Sequence, residues 1–155
     1  MTVVQPLPDD ALRAAGALAD AARAAARALA RSTPDQRDRA LRAAAARLRR
    51  DQAAILAANA RDVEEARGRG ETSAFVDRLT LNPERIAAMA QGLEEIADLP
   101  QPVGETMASW ARPNGLEIAQ VRVPIGVVFT IFESRPNVTA DSAGLCLKTA
   151  NAVLL

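Results

Sequence analysis

The chain has 155 residues, enough for one ordinary domain, and its 49% apolar and 25% charged residues are a globular rather than a disordered composition. Its formal net charge is zero, which removes any global attraction to nucleic acid or anionic lipid. A single Cys rules out an internal disulfide or a multi-Cys metal site, and the absence of His removes imidazole chemistry from these residues.

No window reaches the ~20 consecutive apolar residues of a membrane span. The opening MTVVQPLPDD is acidic and lacks the build of a signal peptide, so a cytoplasmic protein without a membrane or nucleic-acid partner is expected. Eighteen of the 19 basic residues are Arg, Lys148 being the exception. The acids interleave with them, which reads as solvated helix faces rather than a nucleic-acid patch.

Residues 1–8, with Pro6 and Pro8, read as a short leader without regular structure. Asp9 or Asp10 then caps a helix to about Arg31, with Leu12, Ala15, Ala19, Ala22, Ala26 and Leu29 at helical spacing. Thr33-Pro34-Asp35-Gln36 is a strong second start: cap, Pro at the first helical position, and Gln completing a capping box. That helix carries Leu41, Ala44, Ala45 and Leu48 on one face. Asp51 caps a third run, Gln52 to Arg67, with Ile55, Leu56, Val63 and Ala66 apolar and Gly68 and Gly70 as stops. A short helix covers Ser73 to Arg78. Asn82-Pro83-Glu84 starts another, striped by Ile86, Met89, Ala90, Leu93, Ile96 and Ala97 and ended by Pro100 and Pro102.

After Pro102 the period changes. Val103 to Arg112 and Leu116 to Val123 form two strands around the turn Pro113-Asn114-Gly115, with Trp110 as a packing anchor. Ile125 to Phe132 is a fresh strand, apolar on both faces apart from Thr130. A polar turn, a helix and Ala152-Val153-Leu154-Leu155 follow. The last four residues read as a buried parallel strand, so the chain is expected to continue beyond Leu155. Strand–helix–strand implies a parallel sheet with a right-handed crossover. The expected fold class is therefore α/β: a helical arm over 9–101, a β-hairpin over 102–123, and the truncated start of a Rossmann-like parallel sheet over 124–155.

Ligands of such sheets bind at the carboxyl ends of strands, which points to Glu133-Ser134-Arg135-Pro136-Asn137. Arg135 can fork onto a carboxylate or phosphate, and amides from Asn137 to Thr139 can cradle an anion. The Asn137 amide can donate to a developing oxyanion. The competing reading is structural: Asn137 or Thr139 caps the helix, and Arg135 pairs with Glu133 or Asp141. Cys146, mid-helix between Leu145 and Leu147, reads as a small buried hydrophobe rather than a nucleophile. Lys148 offsets the helix dipole or binds an anion. Neither classical phosphate-binding fingerprint is present, and no metal site is expected.

Several runs then share a pattern. Val123-Pro124-Ile125-Gly126-Val127-Val128, Glu133-Ser134-Arg135-Pro136-Asn137-Val138-Thr139, Leu145-Cys146-Leu147-Lys148 and Asn151-Ala152-Val153-Leu154-Leu155 closely resemble the gamma-glutamyl phosphate reductases. These are the proline-biosynthesis members of the aldehyde dehydrogenase superfamily. Ile55 to Asp62, Asp77-Arg78-Leu79, Glu84-Arg85-Ile86 and Trp110 with Pro113 to Leu116 extend the likeness upstream. Ala150 departs from it where Gly is expected, and Phe129 where a smaller residue is.

The resemblance implies an NADPH-dependent reduction of L-glutamate 5-phosphate to the 5-semialdehyde with release of phosphate, by an enzyme that is a homo-oligomer at full length. A Cys thiolate displaces phosphate to give a thioester, and hydride transfer releases the aldehyde. That Cys is expected beyond residue 155, so the 155 residues alone are expected to be inactive. The resemblance implies Asn137 as the oxyanion donor and places Phe132, Glu133 and Ser134 by the cofactor. Arg135, with Asn137, is expected to hold the substrate's carboxylate or phosphate. The alternative function is a non-catalytic helical interaction or oligomerisation module.

Overall fold

The computed structural model describes residues 8–155; the expected leader lies outside the described residues except for Pro8. Five helices come first: α1 (Asp9–Leu29), α2 (Pro34–Arg50), α3 (Gln52–Gly68), α4 (Ser73–Leu79) and α5 (Pro83–Asp98). A hairpin of β1 (Thr106–Ala111) and β2 (Glu117–Val121) follows, then β3 (Val127–Phe129), α6 (Pro136–Lys148) and β4 (Ala152–Leu154). The fold is mixed α/β as expected, with an antiparallel pair and a short parallel pair.

Local chemistry sets several boundaries. The capping box forms in full, with Thr33 and Gln36 satisfying each other's backbone amides. Asn82 caps α5 by accepting from the Arg85 amide at 2.7 Å. Asp51 departs from expectation and makes no side-chain cap. Its carboxylate is taken by Arg50 and Arg47, which hold its pKa down from 3.8 to about 2. On α1 the cap position is Pro8, with no side-chain hydrogen bond, and Leu12 is exposed, so its apolar stripe begins later than expected. Ala44 of α2 also faces solvent.

The core joins α2, α5 and α6. Leu41, Ala45, Ala90, Leu93 and Ala97 form it, with Leu48, Ile96 and Leu147 packed against them. Close approach of α6 depends on Gly144: a Cβ there would meet Leu93 Cδ2 at 2.7 Å and Ile96 Cδ1 at 3.0 Å. A polar knot closes the same contact. Lys148, 2% exposed, donates to Asp38 Oδ1 at 2.8 Å and to the Ala97 carbonyl at 2.7 Å. Buried Arg37 donates to the Lys148 carbonyl, the Ser32 carbonyl and Gln101, and Gln101 donates to Asp38. The expectation of a dipole or anion role for Lys148 is thereby corrected. Its ammonium turns inward because a carboxylate and an orphan helix-end carbonyl both lie within its reach.

β3 and β4 pair in parallel register, Val127 with Ala152, Val128 with Val153 and Phe129 with Leu154, and α1 packs against both strands. The ladder is shorter than the expected Ile125–Phe132. One partner strand of three residues can pair only a matching length of β3, and Ile125, Phe129 and Ile131 stay exposed in this chain. The hairpin turns on Arg112-Pro113-Asn114-Gly115, where Gly115 has φ 82 and its amide donates to the Arg112 carbonyl at 2.9 Å. Every residue of β1 is exposed. Trp110, expected as a packing anchor, is 46% exposed opposite Ile118, since no other described element covers the hairpin face it occupies.

α6 ends in a Schellman motif. The Asn151 amide donates to the Cys146 carbonyl at 2.8 Å and the Ala150 amide to the Leu147 carbonyl at 3.1 Å. The left-handed residue is Ala150, at φ 57, where the resemblance expects Gly. That backbone costs a non-Gly residue about 1 kcal/mol or somewhat more. Burial of the Ala150 methyl offsets about 0.8 kcal/mol of it. Ala150→Gly should therefore lie within about 1 kcal/mol of the parent in thermal or urea unfolding, whereas Ala150→Val should lose about 2 kcal/mol or more. In the knot, Lys148→Ala should destabilise by about 3 kcal/mol, since it strands the Ala97 carbonyl and weakens the hold on Asp38. A loss under about 1 kcal/mol in the same measurement would contradict the role given to that ammonium.

Candidate functional site

A cleft of about 430 Å3 opens between the α4–α5 region and the start of α6. Asp77, Arg78, Thr80, Leu81 and Arg85 form one wall, and Arg135, Pro136, Asn137 and Asp141 the other, with Ala88 and Met89 between them. Its size is that of small-molecule sites in general.

The first wall is held from behind. Asn59 is buried on α3 at helical spacing from Ile55 and Val63. Its amide donates to the Leu79 carbonyl at 2.9 Å, and its oxygen accepts from the Leu81 amide at 2.7 Å. Both backbone groups of an irregular turn are thereby satisfied by one side chain. Arg85 donates to the Asp77 and Thr80 carbonyls, each at 2.5 Å, and lies 3.3 Å from the Asp77 carboxylate. The turn is thus clamped on both sides, and Arg85 is largely committed to it.

The second wall is the start of α6, which follows β3 through a short loop and brings Arg135 and Asn137 to the cleft. Arg135 occupies the cap position of α6. The structural alternative for this turn does not hold: no side chain caps the helix, and Arg135 pairs with neither Glu133 nor Asp141. The proposed amide cradle is reduced. The Val138 amide donates back to the Arg135 carbonyl at 3.0 Å. Asn137 donates through its side-chain amide to Asp141 Oδ2 at 3.2 Å. Phe132 and Glu133 are exposed in the β3–α6 loop, where Ser134 turns the backbone at φ 48; none of the three lines the cleft.

Sequence reading singled out Arg135 and Asn137 but not Arg78, Arg85, Asn59 or Asp141 as contributors. A signal for Asn59 was available, because a polar residue interrupts an otherwise apolar helical stripe. Arg78 carries no such mark, since an exposed Arg on a short helix looks like any other.

Several known proteins resemble the chain along most of its length. The chain is 56% identical over 138 residues to a gamma-glutamyl phosphate reductase of Anaeromyxobacter sp. (strain K), covering 89% of this chain and 32% of that protein. It is likewise 56% identical to that of Paramagnetospirillum magneticum, over 89% of this chain and 33% of the relative. The fold superimposes on the gamma-glutamyl phosphate reductase crystal structure from Thermotoga maritima with TM-score 0.84 and 45% identity, covering 86% of this chain and 32% of that one. Over most of its own length the chain is thus similar to gamma-glutamyl phosphate reductases in both sequence and fold. The Saccharomyces cerevisiae reductase structure matches with TM-score 0.81 and 32% identity, over 85% of this chain and 34% of that one. No protein-family model matches the chain. The chain spans about a third of the length of the curated relatives it matches.

Cys146 lies in α6, buried, and burial pushes its thiol pKa up from 9.0. A thiol so placed carries little thiolate near neutral pH, as expected of a packing residue. The native chain should therefore react with a disulfide reagent at pH 8 roughly tenfold or more slowly than the chain in denaturant. Equal labelling rates would return Cys146 to contention as a reactive group.

Proposed function

We propose that this stretch forms the substrate-facing arm and the first part of the sheet of an enzyme that reduces L-glutamate 5-phosphate to L-glutamate 5-semialdehyde and phosphate, in the cytoplasm, as a homo-oligomer. The observation that carries the reading is the 56% identity to proteins of that name across 89% of the chain. It is supported by an open cleft lined by Arg135, the cap residue of the helix that follows a parallel strand, a group suited to an anionic ligand. The division into a helical arm over 9–101, a hairpin over 102–123 and a cofactor-domain start over 124–155 belongs to the same proposal.

In this reading Arg135 binds the ligand's carboxylate or phosphate. Asn137 supplies an amide N–H near the reacting carbonyl; its present bond to Asp141 is long at 3.2 Å and readily exchanged. NADPH, when bound, supplies the hydride. The fit of this chain to that group is partial: it offers the exposed Phe132–Ser134 loop at the carboxyl end of β3. The nucleophilic Cys lies elsewhere in the whole enzyme, since Cys146 is buried and lacks an activating partner. The 155 residues by themselves are then inactive.

The test is a chimera in which these residues replace the matching third of the Thermotoga maritima reductase. The chimera should oxidise NADPH in the presence of enzymatically generated glutamyl phosphate and should restore growth without proline to a strain lacking the reductase. The 155-residue chain alone should do neither. A folded but inactive chimera, or turnover by the isolated chain, would overturn the proposal.

A further inference from the structure

Charge in the cleft is mixed: Arg78, Arg85 and Arg135 share it with Asp77 and Asp141. Two of these five are engaged with each other. Arg85 is committed to the Asp77 and Thr80 carbonyls and to the Asp77 carboxylate, which leaves that acid paired. Arg78 and Arg135, on opposite walls, form no ion pair among the described residues. Asp141 accepts one neutral hydrogen bond, from Asn137, and its other oxygen is uncommitted. The cleft therefore presents two guanidinium groups and one carboxylate with no ion-pair partner among the described residues.

We infer that the cleft grips the amino-acid head group of its ligand, with Arg78 taking the α-carboxylate and Asp141 the α-ammonium, and that this leaves Arg135 for the anionic far end. The assignment rests on the function proposed above and adds to it which end of the substrate faces which wall. A guanidinium presents parallel donors that match a carboxylate, and a carboxylate accepts the donors of an ammonium; a zwitterion with a second anion meets all three groups at once. The Asn59 and Arg85 clamps give the Arg78 wall the rigidity such recognition requires, since Asn59 fixes backbone on either side of Thr80 and Arg85 holds the Asp77 and Thr80 carbonyls.

The experiment is titration of the full 155-residue chain with L-glutamate and with glutarate, which lacks the ammonium, followed by NMR or calorimetry. L-Glutamate should bind saturably. Arg78→Ala should weaken both ligands tenfold or more. Asp141→Asn, which can keep the bond to Asn137, should weaken L-glutamate tenfold or more while leaving glutarate unchanged or tighter. No binding to the parent chain, or Arg78→Ala without effect, overturns the carboxylate assignment. Equal losses of both ligands in Asp141→Asn overturn the ammonium assignment. The same substitutions in the chimera separate this inference from the functional proposal. An active parent chimera whose Arg78→Ala variant keeps its KM sinks the head-group assignment alone, whereas an inactive folded parent sinks the reaction itself.

Discussion

A single buried ammonium holds the architecture together. Lys148 ends α6 and reaches the Asp38 carboxylate on α2 and the Ala97 carbonyl on α5, while its own carbonyl accepts from Arg37. Three helices far apart in sequence thus meet at one point that solvent barely touches. Such a charge is tolerated only where it is paired and hydrogen-bonded, and here Asp38 is itself held by Gln101, which also accepts from Arg37. The knot lies beside the apolar contact of Gly144 with Leu93 and Ile96, so burial and polar satisfaction pull α6 into the same groove.

The position of α6 in turn sets everything downstream. Its start carries Arg135 and Asn137 to the cleft, and its end turns through Ala150 into β4, whose register with β3 follows. The opposite wall comes from another part of the chain and is rigid for a different reason: Asn59 satisfies two backbone groups of the Leu79–Leu81 turn, and Arg85 closes it from the other side. The cleft is therefore a meeting of two separately braced surfaces, which is what precise positioning of a small ligand requires.

What the sequence could convey follows range. The Thr33–Gln36 box and the Asn82 cap were legible because each is closed within four residues, and the stripe of α5 was legible because one helix face meets one core. Asp51 was misread because a carboxylate at a helix start has two uses, and the adjacent Arg47 and Arg50 compete better for it than the backbone does. Lys148 was misread because its partners stand 110 and 51 positions away, beyond any local pattern. The length of β3 depended on its neighbour rather than on its own apolar run. Around the cleft, the sheet-edge rule pointed to Arg135 and Asn137, which line it, while Arg78 joins them only where two distant walls meet.

The arginines show how a composition signal resolves into distinct physical roles. Most paired ones sit on helix surfaces, as in Arg42–Asp98 and the forked Arg49–Glu94, where solvent screening leaves each pair little to contribute. This agrees with zero net charge and the interleaving of acids. Arg37 is the opposite case, nearly inaccessible and spent on neutral backbone, hydroxyl and amide acceptors. Arg78 and Arg135 belong to neither group: they are accessible, unpaired among the described residues, and face a common space. An exposed guanidinium without a partner is unremarkable by itself. Two on opposing walls, beside a carboxylate that also lacks a cation, make a charge pattern that a zwitterionic ligand complements, because each of its charges meets an opposite one.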